Sequence, residues 1–352
     1  MTTNSRIKFI DVVKGLALFL VILGHLEKPY TPMFNWIFSF HMPLFFIASG
    51  MTMNIDKYNI VNFIKRKTKI LLLPYFLFSI FGFIITLLVE SARKKLTIKI
   101  FIIDLFYHTQ PEIIHVGQLW FLVALFFASI YFYVIEKYVV KNKSILFNIL
   151  IYVIISVIGY NIVKYMYTPY ILKVPMHRLP FKLDSALTAV VFLKIGYTIK
   201  KYELVEKICK ISAFKYFILL MLILAVNIFT GVYMNGYVNI CQCVFGAYIN
   251  YYLSSIFGSL FFILLAYKFR NIRIINYYGR NTLNMFAIHS LIIWLTFTIF
   301  KNGYINIPYF PRELNVIVMS TLIYIVLLPI SAFYNLIMKN VKKYKIVRVT
   351  DI

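Results

Sequence analysis

Long uninterrupted runs of apolar residues recur along the chain and are separated by short polar connections. A helix needs about 20 mostly apolar residues to cross a hydrocarbon layer about 30 Å thick. The runs do not alternate between polar and apolar positions, which excludes the strands of a membrane β-barrel. The pattern therefore predicts ten membrane-spanning helices, near residues 9–26, 33–53, 70–89, 119–136, 145–165, 184–199, 213–232, 243–267, 283–300 and 314–338.

The connections between these runs leave no room for a soluble domain. The longest of them, residues 90–118, has fewer than thirty residues. The chain shows no repeat of fixed period and no low-complexity linker. We therefore predict an all-α fold, a polytopic helix bundle in which residues 1–352 form a single domain.

The composition supports an integral membrane protein. Apolar and aromatic residues make up 61% of the chain and charged residues only 14%, whereas soluble domains hold about 25% charged residues. The net charge of +25 arises from 37 basic and 12 acidic residues. Because the basic residues form short clusters between apolar runs, they indicate loop charge and no nucleic-acid-binding face. We expect membrane lipid to surround the chain.

The distribution of basic residues predicts the orientation, because Lys and Arg are retained in cytoplasmic loops. With the N-terminus inside, the inner segments hold 24 Lys and Arg residues and the outer loops hold 11. Both termini are then cytoplasmic, in a multi-pass protein of the cell membrane. The first run lacks a small-x-small cleavage site, so we expect a retained helix and no secretory signal.

The first predicted helix carries three ionisable residues, Asp11, Lys14 and His25. A charged side chain inside a span costs roughly 2.5 to 3.5 kcal/mol, so each should have a partner or a task. Lys14 and His25 are eleven residues apart, which places them on one face of a helix with a rise of about 16 Å between them. Asp11 is close enough to neutralise Lys14. The alternative is a snorkelling Lys14 with its counter-ion and an interfacial His25.

Two further histidines lie in predicted spans. His41 lies near the outer surface, beside the end of the first helix, and with His25 forms a candidate acid/base site. Alternatively, His41 only forms a hydrogen bond between helices. His289 lies within an apolar span, where a helix-packing hydrogen bond is the favoured interpretation.

Several common enzyme classes have no support in the sequence. His108, Glu112 and His115 share the outer loop 90–118, but their spacing matches no zinc signature, so we predict no metal site. Gly-x-Ser-x-Gly, Gly-x-Gly-x-x-Gly and P-loop patterns are absent. Serine hydrolase, dinucleotide-binding and ATPase functions are therefore not indicated.

An ordered set of motifs resembles the membrane acyltransferase-3 family, over about nine-tenths of the chain. The first helix is similar to the family's opening motif, in which a basic residue precedes a histidine by eleven positions, here Lys14 and His25. FHMPLFFIASG resembles the second-helix signature of the sugar O-acetylase branch. Lys14 and Lys69 stand where arginine is commoner, which keeps the charge but loses the bidentate fork. The other matching segments are FIKRKTKILLLPY (63–75), GQLWFLVALFF (117–127), LDSALTAVVFLKIGY (183–197) and GRNTLNMFAIH (279–289).

The resemblance implies transfer of an acyl group, usually acetyl, from cytosolic acetyl-CoA to a hydroxyl of a cell-envelope glycan or lipid-linked saccharide. Arg66, Lys69 and Arg280 would bind the nucleotide phosphates, although each could instead serve only membrane topology. His25 would act as general base or accept the acyl group itself. Asp11 would hold Lys14, which would line a narrow shaft for the donor.

The expected acceptor side comprises His41, Trp120 and Asp184. Trp120 would offer an aromatic platform to a sugar ring, or serve only as a membrane anchor. A purely structural contact between Arg178 and Asp184 is equally compatible with the sequence. The acceptor sugar, the choice of acetyl or succinyl and the oligomeric state do not follow from the sequence.

Two alternatives remain open at the level of sequence. A flippase or exporter of lipid-linked saccharides would also have ten or more helices with basic inner loops, but the glycines and prolines show no matched helix breaks, which favours an enzyme. A membrane-bound O-acyltransferase with one deep histidine would rely on His289 in place of His25.

Overall fold

The apolar runs fold into helices throughout the part of the chain that the computed structural model describes, residues 7–88, 98–107, 117–165, 179–299 and 311–350. The helices are α1 (Lys8–Leu26), α2 (Pro32–Gly50), α3 (Ile60–Lys67), α4 (Leu73–Leu88), α5 (Ile98–Tyr107), α6 (Trp120–Val134), α7 (Ile145–Tyr165), α8 (Leu183–Lys201), α9 (Leu204–Ile208), α10 (Ala213–Ile228), α11 (Tyr248–Lys268), α12 (Arg273–Arg280), α13 (Thr282–Ile299) and α14 (Arg312–Thr350). This confirms the predicted all-α fold.

Seven helical segments within the described ranges are long and apolar enough to cross a membrane. The prediction of a polytopic membrane bundle is therefore confirmed, while ten crossings, cytoplasmic termini and a single domain stay predictions. The seven segments are Lys8–Leu26, Ile60–Leu88, Trp120–Val139, Ile145–Ile162, Ala213–Asn235, Tyr248–Lys268 and Arg312–Ile337.

Turns of π-helix interrupt or extend three of the helices. Thr68–Leu72 joins α3 to α4, Ile135–Val139 extends α6, and Phe229–Asn235 extends α10. A π turn closes i→i+5 hydrogen bonds and takes an extra residue, so it rotates the side chains that follow it relative to an α-helix. The turn Thr68–Leu72 therefore joins the basic helix α3 to the apolar helix α4 without a break in the chain's helical path.

One helix boundary differs from the apolar pattern for a local reason. The predicted run began at residue 243, whereas α11 begins at Tyr248. Gly246 adopts a φ of 64°, and the side chain of Asn235 accepts a hydrogen bond from the backbone N–H of Ala247 at 2.7 Å. This side-chain acceptor replaces the missing helical partner just before the helix starts.

The first helix lies at the centre of the bundle. It packs against α2, α11, α12, α13 and α14, and 78% of its apolar window is buried, compared with 17% for Ile145–Ile162 on α7. The outer helices instead expose large apolar side chains, among them Leu146 and Phe214. Lipid tails cover such surfaces at no free-energy cost, so the burial pattern agrees with a bilayer around the bundle.

Helices α2 and α8 approach each other at two glycines. A Cβ atom on Gly50 would lie 2.1 Å from the carbonyl oxygen of Leu193, and one on Gly196 would lie 2.0 Å from that of Ile47. Small residues allow this close backbone approach between membrane helices. The pair fixes the position of α2, which carries His41.

The charged residue within the apolar run of α8 has partners inside the bundle. Lys194 Nζ lies 2.6 Å from Glu136 Oε1 and donates a hydrogen bond to Asn148 at 3.1 Å. The hydroxyl of Tyr152 donates to the same oxygen of Glu136 at 2.8 Å. These contacts offset the desolvation of the ammonium group, so Lys194 serves the packing of α6, α7 and α8.

Candidate active site

A cavity of about 390 Å³ lies between α1, α2, α3, α6 and α13. Four basic residues line it, Lys14, Lys57, Arg66 and Lys67, and no acidic residue occurs among the described residues of its wall. A cluster of positive charge around a cavity favours an anionic ligand such as a phosphate. Lys57, Arg66 and Lys67 belong to a segment that the charge distribution predicts on the cytoplasmic side.

The wall of the cavity becomes aromatic toward the middle of the bundle. Phe45, Phe121 and Phe286 form a triangle of ring contacts, with centroid distances of 5.6, 5.9 and 5.6 Å. The cavity therefore has a basic wall on one side and an apolar wall on the other. Such a division suits a ligand with a charged head and a less polar arm.

Two histidines meet behind the aromatic wall. The ring of Phe286 lies 5.4 Å from that of His289, which lies 5.5 Å from that of His25. Phe38 connects His41 with α1, because its ring lies 4.8 Å from that of His41 and its Cε2 atom lies 3.0 Å from the position of a Cβ on Gly24, next to His25. The fold thus brings together all three histidines of the predicted spans, although they lie on α1, α2 and α13.

The hydrogen bonds of two histidines assign their ring nitrogens. His289 Nδ1 donates to the carbonyl oxygen of Phe286 at 2.6 Å, and His41 Nδ1 donates to that of Ile37 at 2.8 Å. A carbonyl oxygen only accepts, so in each neutral ring Nε2 is the acceptor. His289 Nε2 is buried and has no hydrogen-bond partner among the described residues.

His25 differs from its neighbours in exposure and bonding. His289 is fully buried and His41 nearly so, whereas part of the His25 ring surface is exposed. His25 makes no hydrogen bond within the described part of the chain. An accessible imidazole with free nitrogens can exchange a proton with a reacting group.

The candidate residues of α1 lie along one unbroken helix. Lys14 is half-buried and lines the cavity, and His25 lies about 16 Å farther along, by the helical rise. Asp11 Oδ2 lies 3.8 Å from Arg280 Nε. A Cβ atom on Gly279 would lie 1.8 Å from the carbonyl oxygen of Asp11, so α12 rests directly on α1. Arg280 therefore joins two helices and does not line the cavity.

The basic motif of α3 contributes a different pair from the one predicted. Arg66 lines the cavity as expected, but Lys69 is exposed and lies outside its wall, and Lys67 lines it instead. The wall residues of this helix, Phe63, Arg66, Lys67, Ile70 and Leu71, recur at the helical spacing i, i+3, i+4, i+7 and i+8. Lys69 falls outside this stripe.

Two predicted acceptor-side residues lie in well-packed surroundings. Trp120 is almost completely buried at the start of α6, with its ring against Phe121. Asp184 is fully buried, and its two oxygens accept hydrogen bonds from the backbone N–H groups of Leu179 and Ser185 at 3.1 and 2.6 Å. These bonds organise the turn that precedes α8. Arg178 lies outside the described residues.

A buried ion pair that no pattern in the sequence indicates lies just after the C-terminal end of α1. Glu27 Oε1 accepts hydrogen bonds from Arg312 Nη1 and Thr31 Oγ1, each at 2.8 Å. The carboxylate is completely buried, whereas Arg312 is partly exposed. The pair joins two connections that the topology predicts on the same side of the membrane.

His108, Glu112 and His115, at which the sequence predicts no metal site, lie outside the described residues.

Comparison with known proteins gives a family match. The acyltransferase-3 model, described as an acyltransferase domain, matches residues 7–335. Neither a curated protein nor a solved structure matches the chain.

Proposed function

Because the chain belongs to the acyltransferase-3 family, we propose that it transfers an acetyl group from cytosolic acetyl-CoA to a hydroxyl group of a cell-envelope glycan. The family and the fold together show that the chain is a multi-pass membrane acyltransferase. The donor, the acyl group, the acceptor and the location in the cell membrane are the parts proposed. One observation supports them most: the basic cavity extends toward the histidine cluster.

The cavity matches the chemistry of a coenzyme A thioester. The nucleotide end of this donor carries several phosphate charges, for which Lys57, Arg66 and Lys67 provide cationic partners. The pantetheine arm is long and much less charged, and it would pass Lys14 and the aromatic wall. The thioester then lies toward His25 and His289, which continue the series of rings beyond Phe286.

In the proposed reaction, an imidazole nitrogen of His25 removes the proton of the acceptor hydroxyl. The hydroxyl oxygen attacks the carbonyl carbon of the thioester, the carbon–sulfur bond breaks, and the coenzyme A thiolate takes up the proton from the imidazolium. In the second route, His25 accepts the acyl group and passes it to the hydroxyl. Both routes need the accessible ring of His25.

His289 lies within the same cluster as His25, so the two histidines need separate roles in the proposed reaction. His289 Nε2 is an acceptor in a fully buried ring, and its Nδ1 is already bonded to the backbone. We assign His289 the task of positioning His25. The family match also favours an enzyme over the exporter considered as an alternative.

Reversing the charge of the cavity wall should weaken donor binding. In the double variant Arg66→Glu, Lys67→Glu, we expect the affinity for acetyl-CoA to fall more than about tenfold, because charge-assisted hydrogen bonds contribute about 1.5–3 kcal/mol each. Equilibrium binding to the purified protein in detergent measures this effect. The double variant Lys65→Glu, Lys69→Glu is the matched control, since it makes the same charge change outside the cavity wall. Equal weakening by both would contradict a phosphate site in this cavity.

A further inference from the structure

Four aromatic rings form a continuous series between the outer loops and the histidine cluster. Tyr30 contacts Tyr237 at a centroid distance of 4.9 Å, and Tyr237 stacks on Phe34 at 5.8 Å. Phe34 stacks on Phe38 at 3.8 Å, and Phe38 meets His41 at 4.8 Å. We call Tyr30, Tyr237, Phe34 and Phe38 the aromatic strip.

The strip is open at one end and buried at the other. Tyr30 is 71% exposed, whereas Phe34 is 5% exposed. At the inner end, a Cβ atom on Gly24 would lie 3.0 Å from Phe38 Cε2, so Phe38 packs on α1 directly beside His25. A ligand on the strip would therefore have the exposed end outside and the candidate catalytic residue at its inner end.

The exposed position of Tyr30 is fixed by the structure. Its φ of 68° lies in the left-handed region, which is unfavourable for a large side chain. The surrounding turn is held by Glu27, which binds both Thr31 and Arg312. Thr31 Oγ1 in turn accepts a hydrogen bond from the backbone N–H of Phe34 at 3.2 Å and thereby caps α2. This network keeps the Tyr30 ring on the surface at a cost in backbone strain.

Polar groups border the exposed part of the strip. The hydroxyl of Tyr237 donates to Gln242 Oε1 at 3.0 Å and accepts from Asn239 Nδ2 at 3.1 Å. Aromatic faces next to hydroxyl and amide groups match the chemistry of a sugar, whose ring has apolar C–H faces and a rim of hydroxyls. Trp120, the platform expected from the sequence, is too buried to offer such a face.

We propose that Tyr30 and Tyr237, the accessible end of the aromatic strip, bind the saccharide chain of the acceptor, an envelope polysaccharide, and hold one of its hydroxyls near His25. This inference rests on the proposed transfer to a glycan. Tyrosines also occur as simple anchors at membrane interfaces, and the experiment below separates the two roles.

The test uses variants produced in the protein's own host cells, from which the native copy has been deleted. Membranes receive radiolabelled acetyl-CoA, and label is counted in the envelope polysaccharide per amount of folded protein. Equilibrium binding of acetyl-CoA to each purified variant provides the donor-side control. The variants are Tyr30→Ala, Tyr237→Ala, Tyr30→Phe and Tyr233→Ala. The last removes an exposed tyrosine of the π turn Phe229–Asn235, which precedes Tyr237 in the chain, and this tyrosine has no ring contact among the described residues.

We expect label in the polysaccharide to fall about fivefold to tenfold in Tyr30→Ala and Tyr237→Ala, consistent with losing a ring contact. Tyr30→Phe and Tyr233→Ala should transfer like the native protein, and all variants should bind acetyl-CoA equally well. Native transfer in Tyr30→Ala, or an equal loss in Tyr233→Ala, would overturn the proposed role of the strip in acceptor binding. Either result would leave the proposed acetyl transfer standing. Failure of the native protein to bind acetyl-CoA or to label polysaccharide would instead overturn the proposed function, and the strip with it.

Discussion

Replacing His25 with alanine should lower the rate of acyl transfer at least about a hundredfold, the usual contribution of a general acid–base group. The amount of folded protein should stay nearly unchanged. His25 makes no hydrogen bond with the described residues, and part of its ring is exposed, so truncation removes neither a buried bond nor a filled core position. Its only ring contact among the described residues is with His289.

The measurement combines transfer of label from acetyl-CoA into envelope polysaccharide with size-exclusion chromatography of the detergent-solubilised protein. His289→Gln is the companion variant, because it tests the positioning role and the single-histidine alternative together. We expect His289→Gln to retain part of the transfer. Complete loss in His289→Gln with full transfer in His25→Ala would assign catalysis to His289. Equal loss of folded protein and transfer in His25→Ala would indicate a structural histidine.

Replacing Gly196 with alanine should prevent stable packing of α2 against α8. The added Cβ would lie 2.0 Å from the carbonyl oxygen of Ile47, and backbone at a helix contact cannot yield as a side chain does. The two helices would have to separate, although α8 also packs against α6 and α7. We expect a loss of about 3 kcal/mol or more in the free energy of unfolding, at the upper end of the range for overpacking.

Thermal unfolding in detergent and the yield of monodisperse protein report this loss. Gly24→Ala is the matched control, because the atoms nearest to its added Cβ are side-chain atoms of Phe38 and Ile37 at 3.0 and 3.2 Å. These side chains can shift by a few tenths of an ångström. If Gly196→Ala is as stable as Gly24→Ala, the close approach of α2 and α8 does not hold.

The sequence predicts the helices well because the bilayer imposes a length and an apolar composition on each span. It does not predict which helices pack together. Gly50 and Gly196 belong to separate motifs, and each meets the backbone of the opposite helix only when α2 lies against α8. The central position of α1 likewise depends on tertiary packing.

Some features of the candidate site can likewise be predicted from the sequence, and others cannot. Helical periodicity places Lys14 and His25 on one face of α1, and the structure has Lys14 in the cavity wall and His25 beside His289. The same periodicity accounts for Lys67 joining Arg66 in the cavity wall while Lys69 does not, since the wall residues of this helix follow the spacing i, i+3, i+4 and i+7. Partners far apart in sequence, such as Glu27 and Arg312, have no periodic signal at all.

Acceptor binding is the least predictable part from sequence. From the sequence, Trp120 is a candidate for binding the face of a sugar ring. In the fold, however, neighbouring side chains bury it, and the sequence does not identify those neighbours. The exposed ring of Tyr30 and the half-buried ring of Tyr237 come from connections about two hundred residues apart. Their contact requires both connections to lie on one side of the bundle.

The central claim is that the donor enters from the cytoplasmic side and the acyl group leaves on the other. Membrane vesicles of known orientation test it most directly, because acetyl-CoA carries too much charge to cross a bilayer. With radiolabelled acetyl-CoA added outside, inside-out vesicles containing the native protein should label the polysaccharide in their lumen. Right-side-out vesicles and inside-out vesicles with His25→Ala should not. Label in right-side-out vesicles with native protein would contradict the claim.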